Sequence, residues 1–123
     1  MILLDTSVLI EMLGAGGRMR AELRGSIERG ERLALPTLVL FEWLRGPRTP
    51  EELAAQEALL PSDEAIVFGP AEARLAAELY RVLPRSRGRE VDLAIAACAL
   101  SWDAAVWTLN AADFEDVPGL RLR

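Results

Sequence analysis

Four of the 19 acidic residues of this chain sit where surface charge alone does not explain them. Asp5 follows Ile2-Leu3-Leu4, at the point where an apolar strand gives way to the apolar-periodic segment Val8–Leu13. An aspartate there either caps the next helix by accepting a backbone N–H or faces the crevice beyond the carboxyl ends of an open α/β sheet, where ligands bind. Thr6 and Ser7 are equally able to cap, so position leaves both readings open. Glu42 lies inside Leu38-Val39-Leu40-Phe41-Glu42-Trp43-Leu44. A carboxylate buried there without a partner costs several kcal/mol or takes up a proton, so it needs a polar edge, a pairing with Arg45, or a function. Asp92 opens the run Leu93 to Leu100, as a helix cap or as a site residue. Asp113 follows the apolar segment Ala104–Thr108, in a loop where Asn and Asp are also ordinary turn residues. Asp103 and Asp116 read as turn residues. Glu22, Glu28, Glu51, Glu52 and Glu57 read as solvated helix charges.

The missing residue types narrow the chemistry. The chain has no histidine and one cysteine, and its 14 basic residues are all arginine. Ser-His-Asp and Cys-His catalysis are therefore excluded within it, as are histidine zinc sites and the phosphate-binding lysine of a P-loop. What remains as acid–base groups are carboxylates, metal-bound water or groups of the substrate, and carboxylates with water select hard cations such as Mg²⁺ or Mn²⁺. Three or four carboxylates meeting in one cleft repel one another unless a cation is present. One or two such ions suit phosphodiester cleavage, because they activate water and stabilise the attacking and leaving oxygens without histidine.

The elements that must position these acids follow from the hydropathy pattern. Strands are expected at Met1–Leu4, Arg32–Leu35, Ala65–Phe68 and Ala104–Thr108, with a short edge strand at Leu120–Leu122. Helices are expected at Thr6–Leu13, Arg18–Arg29, Leu38–Leu44, Glu51–Leu60, Ala71–Leu83 and Val91–Trp102. The last is apolar nearly all round and should be deeply buried. Gly14-Ala15-Gly16-Gly17 follows a helix rather than a strand, so it reads as a helix end, not a dinucleotide fingerprint. This alternation predicts a single α/β domain over 1–123, with a mostly parallel sheet and helices on both faces. In a parallel sheet Asp5 and the Asn110–Asp113 loop share one edge, and Glu42 and Asp92 lie on helices able to cross it.

The net charge of −5 opposes broad electrostatic binding of nucleic acid, although four acids held by a cation would leave only −1 on the rest. Arg81, Arg85, Arg87 and Arg89 run directly into Asp92, either as a solvated loop or as a phosphate clamp, for which the planar guanidinium is suited. Arg18, Arg20 and Arg24 are a second, weaker candidate. Trp43, Trp102 and Trp107 read as core or dimer contacts. No segment is long and apolar enough for a membrane span, no signal peptide is expected, and a lone cysteine fits a reducing compartment.

Four segments together resemble a known family: Leu3-Leu4-Asp5-Thr6-Ser7-Val8-Leu9-Ile10, Phe41-Glu42-Trp43-Leu44-Arg45-Gly46, Asp92-Leu93-Ala94-Ile95-Ala96-Ala97 and Thr108-Leu109-Asn110-Ala111-Ala112-Asp113-Phe114. In this order and spacing they look like the PIN-domain family, and more narrowly the VapC-type toxins of bacterial toxin–antitoxin pairs. The resemblance runs from residue 1 to the end. It implies a PIN-like three-layer fold with a mostly parallel five-stranded sheet, and a cytoplasmic Mg²⁺- or Mn²⁺-dependent endoribonuclease. Asp5, Glu42, Asp92 and Asp113 match the family's metal-holding acids. Thr6 matches a polar position beside the first acid, and Thr108 and Asn110 match the polar positions before the last. Thr6, Asn110, Arg85, Arg87 and Arg89 are then the candidate substrate contacts. The resemblance also implies a homodimer, a cognate VapB-type antitoxin that covers the acidic cleft, and structured RNA such as tRNA or ribosomal RNA as substrate. Two details depart from the commonest pattern: Ser7 stands where asparagine is frequent, and the loop after the first helix is short and glycine-rich. Two other readings stand beside the nuclease. One is a PIN scaffold kept for partner or regulatory contacts with little catalysis. The other is DNA cleavage at the same site, since nothing in the sequence reads a 2′-hydroxyl.

Overall fold

The strand ahead of Asp5 is one of the two inner strands of the sheet. In the computed structural model, which describes residues 1–123, β1 (Ile2–Leu4) lies between β2 (Leu33–Ala34) and β3 (Ala105–Trp107). β4 (Arg121–Leu122) pairs with the far side of β3, giving the order β2-β1-β3-β4. All three pairings are parallel, with Ile2 opposite both Leu33 and Ala105. Leu3 and Leu4 are both fully buried. Because successive strand residues point to opposite faces, both faces of the sheet are covered.

Six helices provide the cover: α1 (Thr6–Leu13), α2 (Arg20–Glu28), α3 (Thr37–Arg45), α4 (Pro50–Leu59), α5 (Pro70–Val82) and α6 (Glu90–Ser101). Their starts are written locally. Asp5 caps α1, and Thr49 and Glu52 form a reciprocal capping box on α4. Proline occupies the first turn of α4 and α5. In α6 every residue from Leu93 to Ala99 is buried. Its alanines let α5, α3 and β3 pack closely around it. Trp43 and Trp107 lie in the core, whereas Trp102 is half exposed. No helix is long and apolar enough to cross a membrane.

Two expectations change. The sheet has four strands, not five. Ala65–Phe68 contributes only one bridge, in which the Ile66 N–H donates to the Leu35 carbonyl at 2.7 Å and the Thr37 N–H donates to the Ile66 carbonyl at 2.9 Å. The partner chain there is Pro36, which has no N–H, and from Thr37 onward it is already helix, so no further rung can form. The helix around Glu42 is also less enclosed than its sequence suggests. Val39 and Trp43 are buried, but Phe41 and Leu44 are more than half exposed, which leaves Glu42 at a boundary rather than in the core.

Candidate active site at the β1–β3 switch point

From β1 the chain moves to β2 on one side and later returns to β3 on the other. The crevice beyond the carboxyl ends of β1 and β3 is therefore the topological switch point, the place where an open parallel sheet binds ligands. Asp5 stands in it. Its N–H donates to the Trp107 carbonyl at 2.9 Å, continuing the β1–β3 ladder one residue past the strand.

The Asp5 side chain is buried and heavily hydrogen-bonded. Oδ1 accepts the Thr6 N–H at 2.8 Å, so Asp5 does cap α1. Oδ2 accepts the Thr108 hydroxyl at 2.7 Å and the Ser7 hydroxyl at 3.2 Å. Ser7 in turn accepts the Leu109 N–H at 3.2 Å, and Thr108 Oγ1 accepts the Asn110 N–H at 3.0 Å. The two hydroxyls thus link the α1 start to the loop after β3. Capping and site placement, which position left open, are combined in one residue.

Glu42 joins the same network from α3. Its Oε1 accepts the Thr6 hydroxyl at 2.7 Å, and its Oε2 lies 3.5 Å from the Arg45 guanidinium. Thr6 therefore connects the first two acids, its backbone bonding Asp5 and its hydroxyl bonding Glu42.

Asp92 approaches from the first turn of α6. It is not that helix's cap, because Arg89 holds that place. Burial, followed by the negative charges of Asp5, Asp113 and Glu42, pushes its carboxyl from 3.8 up to about 6, with Arg89 opposing weakly. The influence of all three on Asp92 places the four acids in one electrostatic cluster. Asp113 ends a 3₁₀ turn, Ala111–Asp113, and is held through its backbone: its N–H donates to the Asn110 carbonyl and its carbonyl accepts from Arg89, both at 2.9 Å.

A divalent cation fits this site in charge and donor type, since the cluster offers carboxylate oxygens and a repulsion that a cation would relieve. The spacing is wider than ligation requires, because no three acids stand close enough to hold an ion together.

The other candidates separate. Arg85 and Arg89 line a recess of about 350 Å³ beside Asp113, together with Ala112 and Glu115. Arg85 and Arg87 are exposed, as is Asn110. Arg89 is largely covered and paired with Asp116, so Asp116 is more than the turn residue its sequence suggests. Thr6 is placed to orient Glu42. The sequence marks Thr108 only as a polar position before the last acid and Ser7 only as a possible cap; that both hydroxyls bond Asp5 leaves no signal along the chain. Cys98 is buried in α6, and burial raises its thiol to about 11, so it is no nucleophile. The largest groove, about 630 Å³ between α1, α2 and α4, contains none of the four acids.

Comparison with known proteins bears on the fold that carries these residues. A family model for the PIN domain matches residues 2–120. Ribonuclease VapC19 of Mycobacterium tuberculosis is 35% identical over 123 residues, covering 98% of both chains. Among solved structures, the DNA-bound VapBC from Salmonella typhimurium aligns with a TM-score of 0.70 at 24% identity, over 99% of this chain and 96% of that one. FitAcB from Neisseria gonorrhoeae aligns with a TM-score of 0.72 at 22% identity, over 100% and 97%. These structural likenesses establish the shared fold.

Proposed function

The chain belongs to the PIN-domain family, and from that premise we propose that it is a Mg²⁺- or Mn²⁺-dependent endoribonuclease, the toxin of a toxin–antitoxin pair. The observation that carries the reading is the Asp92 carboxyl, driven up to about 6 by burial and by three other carboxylates at the switch point of a parallel sheet. Such a charge cluster is unfavourable in a protein with no use for it. The ribonuclease relative at 35% identity supports RNA as substrate, and the VapBC neighbours support a VapB-type antitoxin.

Asp5, Glu42, Asp92 and Asp113 are the carboxylates from which a cation would draw its ligands, although no three of them converge on one point as placed. When bound, it supplies an activated water and stabilises charge on the phosphodiester oxygens. The chain's own work is positional. Thr108, Ser7 and the Thr6 N–H fix both oxygens of Asp5, and the Thr6 hydroxyl fixes Glu42. Arg85 lines the recess beside Asp113 and Arg87 is exposed on the same loop, and their guanidinium groups are suited to backbone phosphates. Asn110 is exposed in the loop that carries Asp113, as the remaining substrate contact. The protein works in the cytoplasm as a homodimer, with exposed Phe41 and Leu44 beside Glu42 as apolar contact area.

RNA cleavage by the purified protein, with and without EDTA, tests the reading. Asp5→Asn and Asp92→Asn should each lower the rate by more than the ~10–100-fold typical of partners one shell removed from a metal, while circular dichroism shows the fold retained. Full activity in EDTA or in either variant overturns it. RNA and DNA oligonucleotides assayed side by side separate ribonuclease from deoxyribonuclease action. Retained antitoxin binding without Mn²⁺ binding favours a scaffold with little catalysis.

A further inference from the structure

We infer that Arg89 is a positioning residue that clasps the Asp113 turn to the start of α6, with Asp116 as its counter-charge, and is not a phosphate contact. The inference rests on the nuclease reading for its consequence but not for its geometry.

Both terminal nitrogens of the guanidinium are fully occupied. Nη1 donates to the Pro84 carbonyl at 3.2 Å and to Asp116 Oδ2 at 3.0 Å, and Nη2 donates to the Asp113 carbonyl at 2.9 Å and to Asp116 Oδ1 at 2.6 Å. Each terminal nitrogen carries two N–H groups, so all four have acceptors. The fifth donor, Nε, is buried without a partner. The Arg89 side chain is 13% exposed. The one donor left over, Nε, is buried out of reach of a phosphate, although Arg89 belongs to the same basic run as the exposed Arg85 and Arg87.

The four bonds join three segments: the loop from Pro84, the α6 start three residues before Asp92, and the turn that ends in Asp113. A bidentate arginine–carboxylate pair fixes orientation as well as distance. The carbonyl it holds belongs to Asp113 itself, so the position of that acid relative to Asp92 depends on the clasp. Asp116 is thereby assigned a role three residues beyond the end of the turn. Its carboxyl is held below the ordinary range, first by the hydrogen bonds from Arg89.

Asp116→Asn separates this role from a phosphate clamp because the two predict opposite outcomes. If Arg89 positions Asp113, Asp116→Asn and Arg89→Gln should each weaken Mn²⁺ binding by calorimetry about 10–100-fold, as outer-shell partners do. They should also lower kcat on an RNA oligonucleotide with little change in KM, and the double variant should be no worse than either single, because both remove one clasp. If Arg89 binds phosphate, releasing it from Asp116 should lower KM and leave kcat alone, which overturns the inference. Amide hydrogen exchange gives a readout independent of metal and RNA. Residues 111–116 should exchange faster in both variants, while β1 and α1 stay protected. Unchanged exchange there overturns the inference even if the parent cleaves no RNA. An inactive parent with faster exchange in the variants fails only the nuclease reading.

Discussion

The two halves of the acidic site are built in opposite ways. On the β1–α3 side, hydrogen bonds reach the carboxylates themselves: three donors serve Asp5, and a threonine hydroxyl serves Glu42. On the α6 side, the hydrogen bonds hold the backbone. Arg89 clasps the Asp113 carbonyl, and nothing but weak attraction to Arg89 offsets the burial and repulsion acting on Asp92. The first half is stable as folded. The second stores unfavourable charge that a cation would relieve. The comparison therefore makes one half scaffold and the other half responsive to cation, and each claim has its own measurement.

The largest effect on stability falls in the scaffold half. Asp5→Ala removes the cap of α1 and leaves the Thr108 hydroxyl and Thr6 N–H without their acceptor in a buried site. Loss of the cap costs about 1 kcal/mol, and loss of charged hydrogen bonds about 1.5–3 kcal/mol. Denaturant unfolding in EDTA should show a total loss of about 3 kcal/mol. A change under about 1 kcal/mol would mean that the Asp5 network is no scaffold, and the contrast between the halves would collapse.

Asp92→Asn should act in the other direction. The folded-state carboxyl titrates at about 6 rather than 3.8, so between those values the folded protein holds a proton that the unfolded chain releases. The stability linked to Asp92 is therefore fully present below about pH 4 and is lost as pH rises through about 6. Above that, the charged carboxylate opposes folding and an asparagine does not. In EDTA near pH 7, the variant should melt at a higher temperature than the parent, with the difference vanishing below about pH 4. Adding Mn²⁺ should raise the parent's melting temperature more than the variant's. A variant that melts lower near pH 7 would place Asp92 with the hydrogen-bonded half.

This asymmetry also marks what the sequence made legible. The four acids could be picked out because each interrupts an apolar pattern: Asp5 after Leu4, Glu42 amid leucines and aromatics, Asp92 before the alanine run, Asp113 after β3. The same patterns located all six helices. Hydrogen bonds between distant residues leave no such periodic mark. Thr108 reaches Asp5 across 103 positions and Arg89 reaches Asp116 across 27, so neither partnership is visible along the chain. Arg89 resembled its exposed neighbours Arg85 and Arg87 because composition records charge and not what surrounds it. The missing fifth strand has a similar cause. Ala65–Phe68 has strand composition, but pairing depends on its neighbour, and its neighbour is a proline followed by a helix.

The smallest effect concerns Arg45, where two contacts to Glu42 compete as explanations of its placement. The Arg45 guanidinium is 3.5 Å from Glu42, with its own side chain 62% exposed. It also lies 5.4 Å from the Phe41 ring centroid, at an exposed position. An ion pair so open to water contributes about 0–1 kcal/mol, because solvent and salt screen it and a long side chain must be ordered to make it. The Thr6 hydroxyl lies 2.7 Å from Glu42 on a β-branched side chain with few rotamers, anchored at the first residue of a capped helix. It gives direction as well as attraction, and salt affects it little. Arg45→Ala should therefore change stability by about 0.5 kcal/mol or less, and RNA cleavage by less than about threefold at physiological salt. Thr6→Val should cost more in cleavage than Arg45→Ala. If Arg45→Ala proves the more damaging, Glu42 is held by charge rather than by a directed hydrogen bond, and it belongs with Asp92 in the half that awaits a cation.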